Sequence, residues 1–374
     1  MKPTRQNRPT LALAGASTVT ALCLCLPGDA LAQGCVPVRA FSGPLLPGMT
    51  ALDSHNPWQA SVAYRYLHAD RYFQGTEELS DMPGMAPGQQ VINEVHSIDL
   101  AISYTFNARL TLTLDLPIVH GQRTSREEHL GMDRVDLPQY TTSASGIGDL
   151  RVVADYWLLN PETHHQGNVA LGLGVKAPTG EYDAKDVFQQ PGGPVEQPVD
   201  QAIQPGDGGW GVVFQMQAYQ RILERLSLYA NGQYLMNPRE DNGTARVPVV
   251  MGGGPMPTAP DSVNSVPDQY LGRLGLDYSI WPEAGLSISL GGRVEGIPPS
   301  DLAGGDGGFR RPGYAVSIEP GLNWFSGRHA FSVAVPVALE RNRQRSETDS
   351  DLGRAMYPGS FADWTLFASY SFRF

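Results

Sequence analysis

Residues 110–118 read Leu-Thr-Leu-Thr-Leu-Asp-Leu-Pro-Ile, with Leu110, Leu112, Leu114, Leu116 and Ile118 on one parity and Thr111, Thr113 and Asp115 on the other. Successive strand side chains point to opposite faces, so such a segment is apolar on one side and polar on the other. About twelve segments of about ten residues repeat this pattern between Trp58 and Phe374, the length that a tilted membrane-crossing strand needs. Their apolar sets include Val62, Tyr64 and Tyr66; Ile98, Leu100 and Ile102; Leu150, Val152 and Ala154; Val169, Leu171, Leu173 and Val175; and Val333, Val335, Val337 and Leu339. The final segment places Trp364, Leu366, Ala368, Tyr370, Phe372 and Phe374 on one parity.

Charge follows the same parity. The polar phase holds Arg65, Asp99, Asp115, Asp149, Arg151, Lys176, Arg273, Arg293, Glu295 and Glu340, and the apolar phase holds none. A lipid-facing charge near the bilayer midplane costs about 2–4 kcal/mol, so the sorting predicts lipid outside and a polar lumen inside. Connections sort as well. Short ones at 107–109, 160–167, 221–224, 281–284 and 325–328 alternate with long ones such as 181–207 and 237–268, as expected for short periplasmic turns opposite long external loops. Trp210, Tyr270, Tyr314 and Trp364 gather at one set of strand ends and Phe106, Tyr156, Trp324 and Phe374 at the other, as in interfacial girdles. The predicted fold is all-β: a transmembrane antiparallel β-barrel of outer-membrane type with about 12 strands. Pro320 and Pro336 fall inside strands, where each removes a ladder donor, and predict bulges or breaks.

The N-terminus changes the address. Lys2, Arg5 and Arg8 precede an apolar run from Leu11 to Leu26, and Ala30-Leu31-Ala32 offers a small-x-small cleavage site, so residues 1–32 read as a secretory signal peptide. Residues 33–57 then form a periplasmic segment and 58–374 the barrel. Removing 1–32 takes away three positive charges (Lys2, Arg5, Arg8) and one negative (Asp29), moving the formal charge from −11 to −13. That argues against nucleic acid as a partner. Cys23 and Cys25 leave with the leader, and the remaining Cys35 provides no disulfide framework. With 42 Gly and 30 Pro and no long apolar run beyond the leader, any membrane crossing is by strands.

No catalytic signature is present, and no cofactor or metal is expected. His164-His165 with Glu162 read as solvated turn residues, and Gly304-Gly305-Asp306-Gly307-Gly308 as a flexible loop tip. The candidate site is the lumen: Arg65, Asp99, Asp149, Arg151, Lys176, Arg273, Arg293 and Glu295 are read as pore-lining, in its outer half. Eight strands leave room only for side chains and sixteen leave a channel. Twelve leaves both a plugged lumen and a narrow pore open.

Three stretches carry a resemblance. Gly146-Ile147-Gly148-Asp149-Leu150, Tyr156-Trp157-Leu158-Leu159 and Val175-Lys176-Ala177-Pro178-Thr179-Gly180 resemble the hallmark stretches of the MetA-pathway of phenol degradation family, also labelled outer-membrane transporter. The similarity runs from about Ser97 to Phe374. It implies an outer-membrane barrel for passive passage of small molecules, of aromatic or other hydrophobic character, and supplies no catalytic residues. The expected partners are outer-membrane lipids and lipopolysaccharide, a small-molecule solute, and the barrel assembly machinery through Phe374. Two readings compete: a barrel hydrolase acting on lipids, for which His68, His96 and His120 with Ser97 and Ser103 are the material, and a structural or adhesive barrel acting through acidic loops.

Overall fold

The structure, a computed structural model, describes residues 56–79, 91–125, 139–190, 192–246, 262–353, 356 and 358–374. The leader and residues 33–55 of the segment after it lie outside the described residues. The strands are β1 (Trp58–Gln74), β2 (Glu77–Leu79), β3 (Ile92–Thr105), β4 (Leu110–Ser125), β5 (Tyr140–Ile147), β6 (Leu150–Trp157), β7 (Gly167–Ala177), β8 (Lys185–Gln190), β9 (Gly193–Pro198) and β10 (Gly211–Leu223). They continue with β11 (Leu226–Met236), β12 (Asp241–Ala245), β13 (Val263–Ser265), β14 (Gln269–Trp281), β15 (Leu286–Ile297), β16 (Gly313–Ser326), β17 (His329–Ala334), β18 (Val337–Arg343) and β19 (Gly359–Arg373). No helix of the described residues is long and apolar enough to cross a membrane.

The wall is an antiparallel meander in which each stave pairs with its neighbours in the chain. β5 and β6 together make one stave against β4, and β17 and β18 together make one between β16 and β19. β19 returns to β1, from Gln59 opposite Arg373 to Phe73 opposite Gly359, and closes a 12-strand barrel. Closure leaves no strand edge unpaired in lipid. The parity read from the sequence is the parity of the wall. Leu173 is 58% and Leu274 57% exposed on the outside, while Lys176 and Arg273 in the opposite phase are buried. Short turns at Asn107–Arg109, Glu224-Arg225, Pro282–Ala284 and Gly327-Arg328 lie at one end. At that end Trp58, Tyr104 and Phe106 pack ring to ring, with centroids 4.7 and 4.8 Å apart.

Four readings need correction. The fourth stave starts at Tyr140, because β5 continues it beyond the motif at Gly146. Its outward residues there, Thr141, Ser143 and Ser145, are polar, so they carried no apolar alternation to read. Glu340 faces outward, because a register shift opposite Val316/Ser317 turns it, and Tyr314 OH donates to its carboxylate at 2.6 Å. Pro336 does break its stave between β17 and β18, but Pro320 leaves β16 continuous. The Pro320 carbonyl accepts from Val335 N at 3.0 Å, so its missing N–H points at the same break, where no ladder bond is lost. The tip 304–308 is held rather than free: Asp306 Oδ1 accepts from Asp301 N at 2.6 Å, and Thr348 Oγ1 donates to the carbonyls of Asp306 and Gly308 at 3.0 and 3.2 Å.

The terminal strand carries a direct test. Phe372 pairs with Ala60 on one side and His329 on the other, and Phe374 N donates to Trp58 O at 2.9 Å. Deleting Phe372–Phe374 is expected to reduce membrane assembly and abolish the heat-dependent gel shift of a folded barrel. Normal assembly of the truncated chain would contradict closure through β19.

Candidate functional site

The eight residues read as pore-lining are all buried inside the wall, and the structure divides them into three groups. Arg273, Arg293 and Glu295 come from β14 and β15, with Arg273 directly opposite Arg293 in register. That like-charge pair is held by Glu319 of β16. Arg273 Nε donates to Glu319 Oε1 at 2.8 Å, and Arg293 Nη1 to Glu319 Oε2 at 3.2 Å. Arg293 also binds both oxygens of Glu295 at 2.9 Å, with its guanidinium 4.6 Å from the Phe367 ring centre. Glu319 is therefore the hub of this ladder and belongs with the eight. Its inward parity was visible in the sequence, but not its position between two arginines. Losing one partner of a buried pair costs about 3–5 kcal/mol, so this wall of the lumen is rigid.

The second group, Asp149 and Lys176, ties the wall to the connection between β7 and β10. Lys176 Nζ bonds the Asp207 carboxylate and lies 3.9 Å from Asp149. Asp149 accepts from Gly180 N and Asp207 N, both at 3.0 Å. Thr179 Oγ1 donates to Gly148 O and accepts from Leu150 N, each at 2.9 Å. The Gly146–Leu150 and Val175–Gly180 stretches thus meet each other and a third segment at 206–207. The meeting requires glycine: a Cβ on Gly180 would lie 2.7 Å from Gly206 Cα and 2.9 Å from Gly148 Cα.

The chain beyond Gly180 turns inward. Phe188 in β8, Val199, Ile203 and Ala184 pack against Leu67, Ala69, Val95, Val119 and Ala144 of the inner wall. Ile203 sits directly over Gly121, where an added Cβ would meet it at 2.7 Å. Fully burying a Phe or Ile contributes about 1.5–3 kcal/mol each, which offsets part of the entropy lost when the loop is ordered. Gln204 fastens its own loop by accepting from Ala184 N and donating to Ala184 O and Val199 O. A clamp spans the mouth at Asp200. Arg311 binds both its oxygens at 2.8 and 2.6 Å, and Arg123 on β4 lies at 3.8 Å. Burial pushes the Asp200 carboxyl up, but Arg123 and Arg311 outweigh it and hold the group far below the usual carboxylate range. Neighbouring loops join in. Gln201 Nε2 donates to Ser265 O at 2.6 Å, Ser265 N to Phe309 O at 3.0 Å, and Arg310 binds Asp301 through two bonds of 2.8 and 2.7 Å.

The plug was not read from the sequence. One signal was there: at the outer ends of β1, β3, β4 and β5 the inward phase turns apolar, at Leu67, Ala69, Val95, Val119 and Ala144. A polar lumen does not need those residues; a docked apolar loop does.

The third group faces a different situation. Arg65, Asp99 and Arg151 stand on β1, β3 and β6 with Asp115 on β4, and Ser97 Oγ donates to Asp99 at 2.8 Å. Asp115 is directly opposite Arg151. Between the plug and the wall lies a cavity of about 50 Å³ bordered by Arg151, Lys176, Gln204, Asp207, Gln269 and Ile297. It has room for a few waters at most; a cavity that takes benzene is about 150 Å³.

The histidines named for a hydrolase lie on the outward face. His120 Nδ1 and Ser145 Oγ are 2.6 Å apart, and His96 Nδ1 is 2.8 Å from Tyr64 OH. No hydrogen bond from a described residue reaches the second nitrogen of His120, so the arrangement stops at a pair without the third, orienting group a triad uses. Among the described residues no three His, Cys, Asp or Glu side chains are placed to hold a metal ion.

No family model matches the chain, and no curated protein is similar to it in sequence. Solved structures match it in fold. An outer membrane channel from Pseudomonas putida F1 superposes with a TM-score of 0.51 at 17% identity, over 85% of this chain and 96% of that one. The fold is an outer-membrane β-barrel. The Ralstonia pickettii toluene transporter TbuX gives a TM-score of 0.41 at 11% identity, over 91% and 99% of the two chains. The Pseudomonas putida toluene transporter TodX gives 0.42 at 10%, over 91% and 96%.

Proposed function

We propose that this protein is an outer-membrane channel through which small molecules pass without energy input or cofactor, its outer mouth stoppered by the 178–210 loop. The observation that carries the reading is a closed wall, apolar toward lipid, around a lumen lined with charge of both signs. Arg65, Asp99, Asp149, Arg151, Lys176, Arg273, Arg293 and Glu295 line the path in this reading. Opposed charges across a narrow lumen set up a transverse field suited to amphipathic solutes. The stretches around Gly148, Trp157 and Gly180 resemble the MetA-pathway of phenol degradation family, which supports an aromatic or hydrophobic body on the solute. The chain reaches the outer membrane through its leader, 1–32, and is inserted by the assembly machinery acting on Phe374, with lipopolysaccharide around its outer rim.

Single-channel recording on the purified mature protein, with a lipase assay on the same sample, tests this. Discrete conductance steps without lipid hydrolysis are expected. Hydrolysis without steps would favour the His120–Ser145 pair as a catalytic site, and neither would leave a structural barrel.

A further inference from the structure

We propose that Arg151 anchors a subsite for small organic carboxylates, in the lumen directly beneath the loop plug. This rests on the channel reading and adds the chemistry of the solute it would hold there.

Arg151 is 6% exposed and borders the cavity under the plug. Among the described residues no ion pair within 4.0 Å involves it and its Nε has no hydrogen-bond partner; its charge acts on Asp115 only from beyond that range. Two other lumen arginines of the outer half show what the wall does when it neutralises a guanidinium: Arg273 and Arg293 are closed off by Glu319 and Glu295. The remaining cation at the cavity, Lys176, is likewise taken, by Asp207 and Asp149. The cavity's two carboxylates are therefore already engaged, Asp149 additionally by the Gly180 and Asp207 amides and Asp207 by Gly209 N at 3.0 Å. Asp115, directly across the ladder from Arg151, stands outside ion-pair range, and its Oδ1 is also without a partner.

A buried guanidinium left unpaired is costly, and its planar fork of donors matches a carboxylate in two parallel hydrogen bonds. A second unmet group, Gln269 Oε1, borders the same cavity and can accept from a donor such as a hydroxyl or water. At about 50 Å³ the cavity suits a head group the size of acetate. A larger body attached to it has to displace the plug, so the subsite reads the head of the solute and the loop governs its length.

The test uses ¹³C-acetate as probe, with acetamide as its uncharged counterpart, titrated by NMR against the folded full-length barrel in detergent. Saturable acetate broadening with none for acetamide is expected. Arg151→Gln should weaken acetate by about tenfold or more, the size of one charge-assisted contact, and Arg151→Lys should keep part of it. Acetate bound no better than acetamide, or equally well by Arg151→Gln, would overturn the subsite. If Arg151→Gln does not give the gel shift of a folded barrel, the acetate-to-acetamide contrast on the native protein and Arg151→Lys decide alone. Conductance measured on the same sample separates the two claims: steps without acetate binding would remove the subsite and leave the channel, whereas loss of both would remove both.

Discussion

Asp200→Asn is expected to raise the conductance of the barrel at neutral pH while leaving its fold and gel shift intact. The substitution keeps the shape of the side chain and its hydrogen bond from Ala202 N, but removes the charge that Arg311 and Arg123 converge on. One buried and one partly buried guanidinium then face a neutral amide. Losing one member of a buried, hydrogen-bonded pair costs about 3–5 kcal/mol, and because the plug is anchored there rather than the wall, the cost falls on the loop. At about 1.4 kcal/mol per factor of ten, the ratio of displaced to docked plug rises by roughly two to three orders of magnitude. The native protein gives the complementary pH result. Its Asp200 is held below the ordinary carboxylate range, so the stabilisation it contributes is complete above the unfolded value of about 3.9 and is lost only as the pH falls below that. Conductance is thus expected to stay flat from pH 8 to about 5 and to rise only in stronger acid. A variant indistinguishable from the native channel at pH 7 would show that the plug is not held by this clamp.

Leu112→Arg should destabilise the folded barrel by about 2–4 kcal/mol, and Thr113→Arg should not. The two residues are neighbours on β4 and differ only in face. Leu112 is exposed on the outside, pairing with Tyr104 and Ala154, whereas Thr113 points inward and shares a 2.9 Å hydrogen bond with Ser103. An arginine at 112 would lie in hydrocarbon; one at 113 reaches a polar lumen. Denaturant titration of the refolded protein in lipid vesicles reads the difference. Equal losses at the two positions would mean that the faces are assigned wrongly.

The wall of this barrel was legible residue by residue, and the reason is local. Alternation has a period of two, lipid tolerates no charge, and each strand must satisfy both along its own length, so Leu110–Ile118 or Val169–Val175 declares its face without reference to any partner. Even the strand ends follow, because turns and girdle aromatics are read within a few residues. The legibility fails where that local demand lapses. β5 extends its stave with polar outward residues at 141, 143 and 145, which carry no apolar signal; Glu340 changed face through a register shift that only pairing with β16 creates.

The interior was decided by tertiary structure. Parity told that Arg151, Lys176, Arg273 and Arg293 face inward, but not that Glu319, 46 positions from Arg273, would close that pair, or that Asp207 in a loop would take Lys176 while Arg151 stayed without an ion pair among the described residues. The plug shows the same limit. Phe188, Val199 and Ile203 have no period within their Pro- and Gly-rich loop, and their binding surface is assembled from single residues on several strands. A repeating environment such as a bilayer imprints itself on consecutive residues; a docked loop is specified by contacts between residues far apart in the chain, which become neighbours only once the sheet has closed.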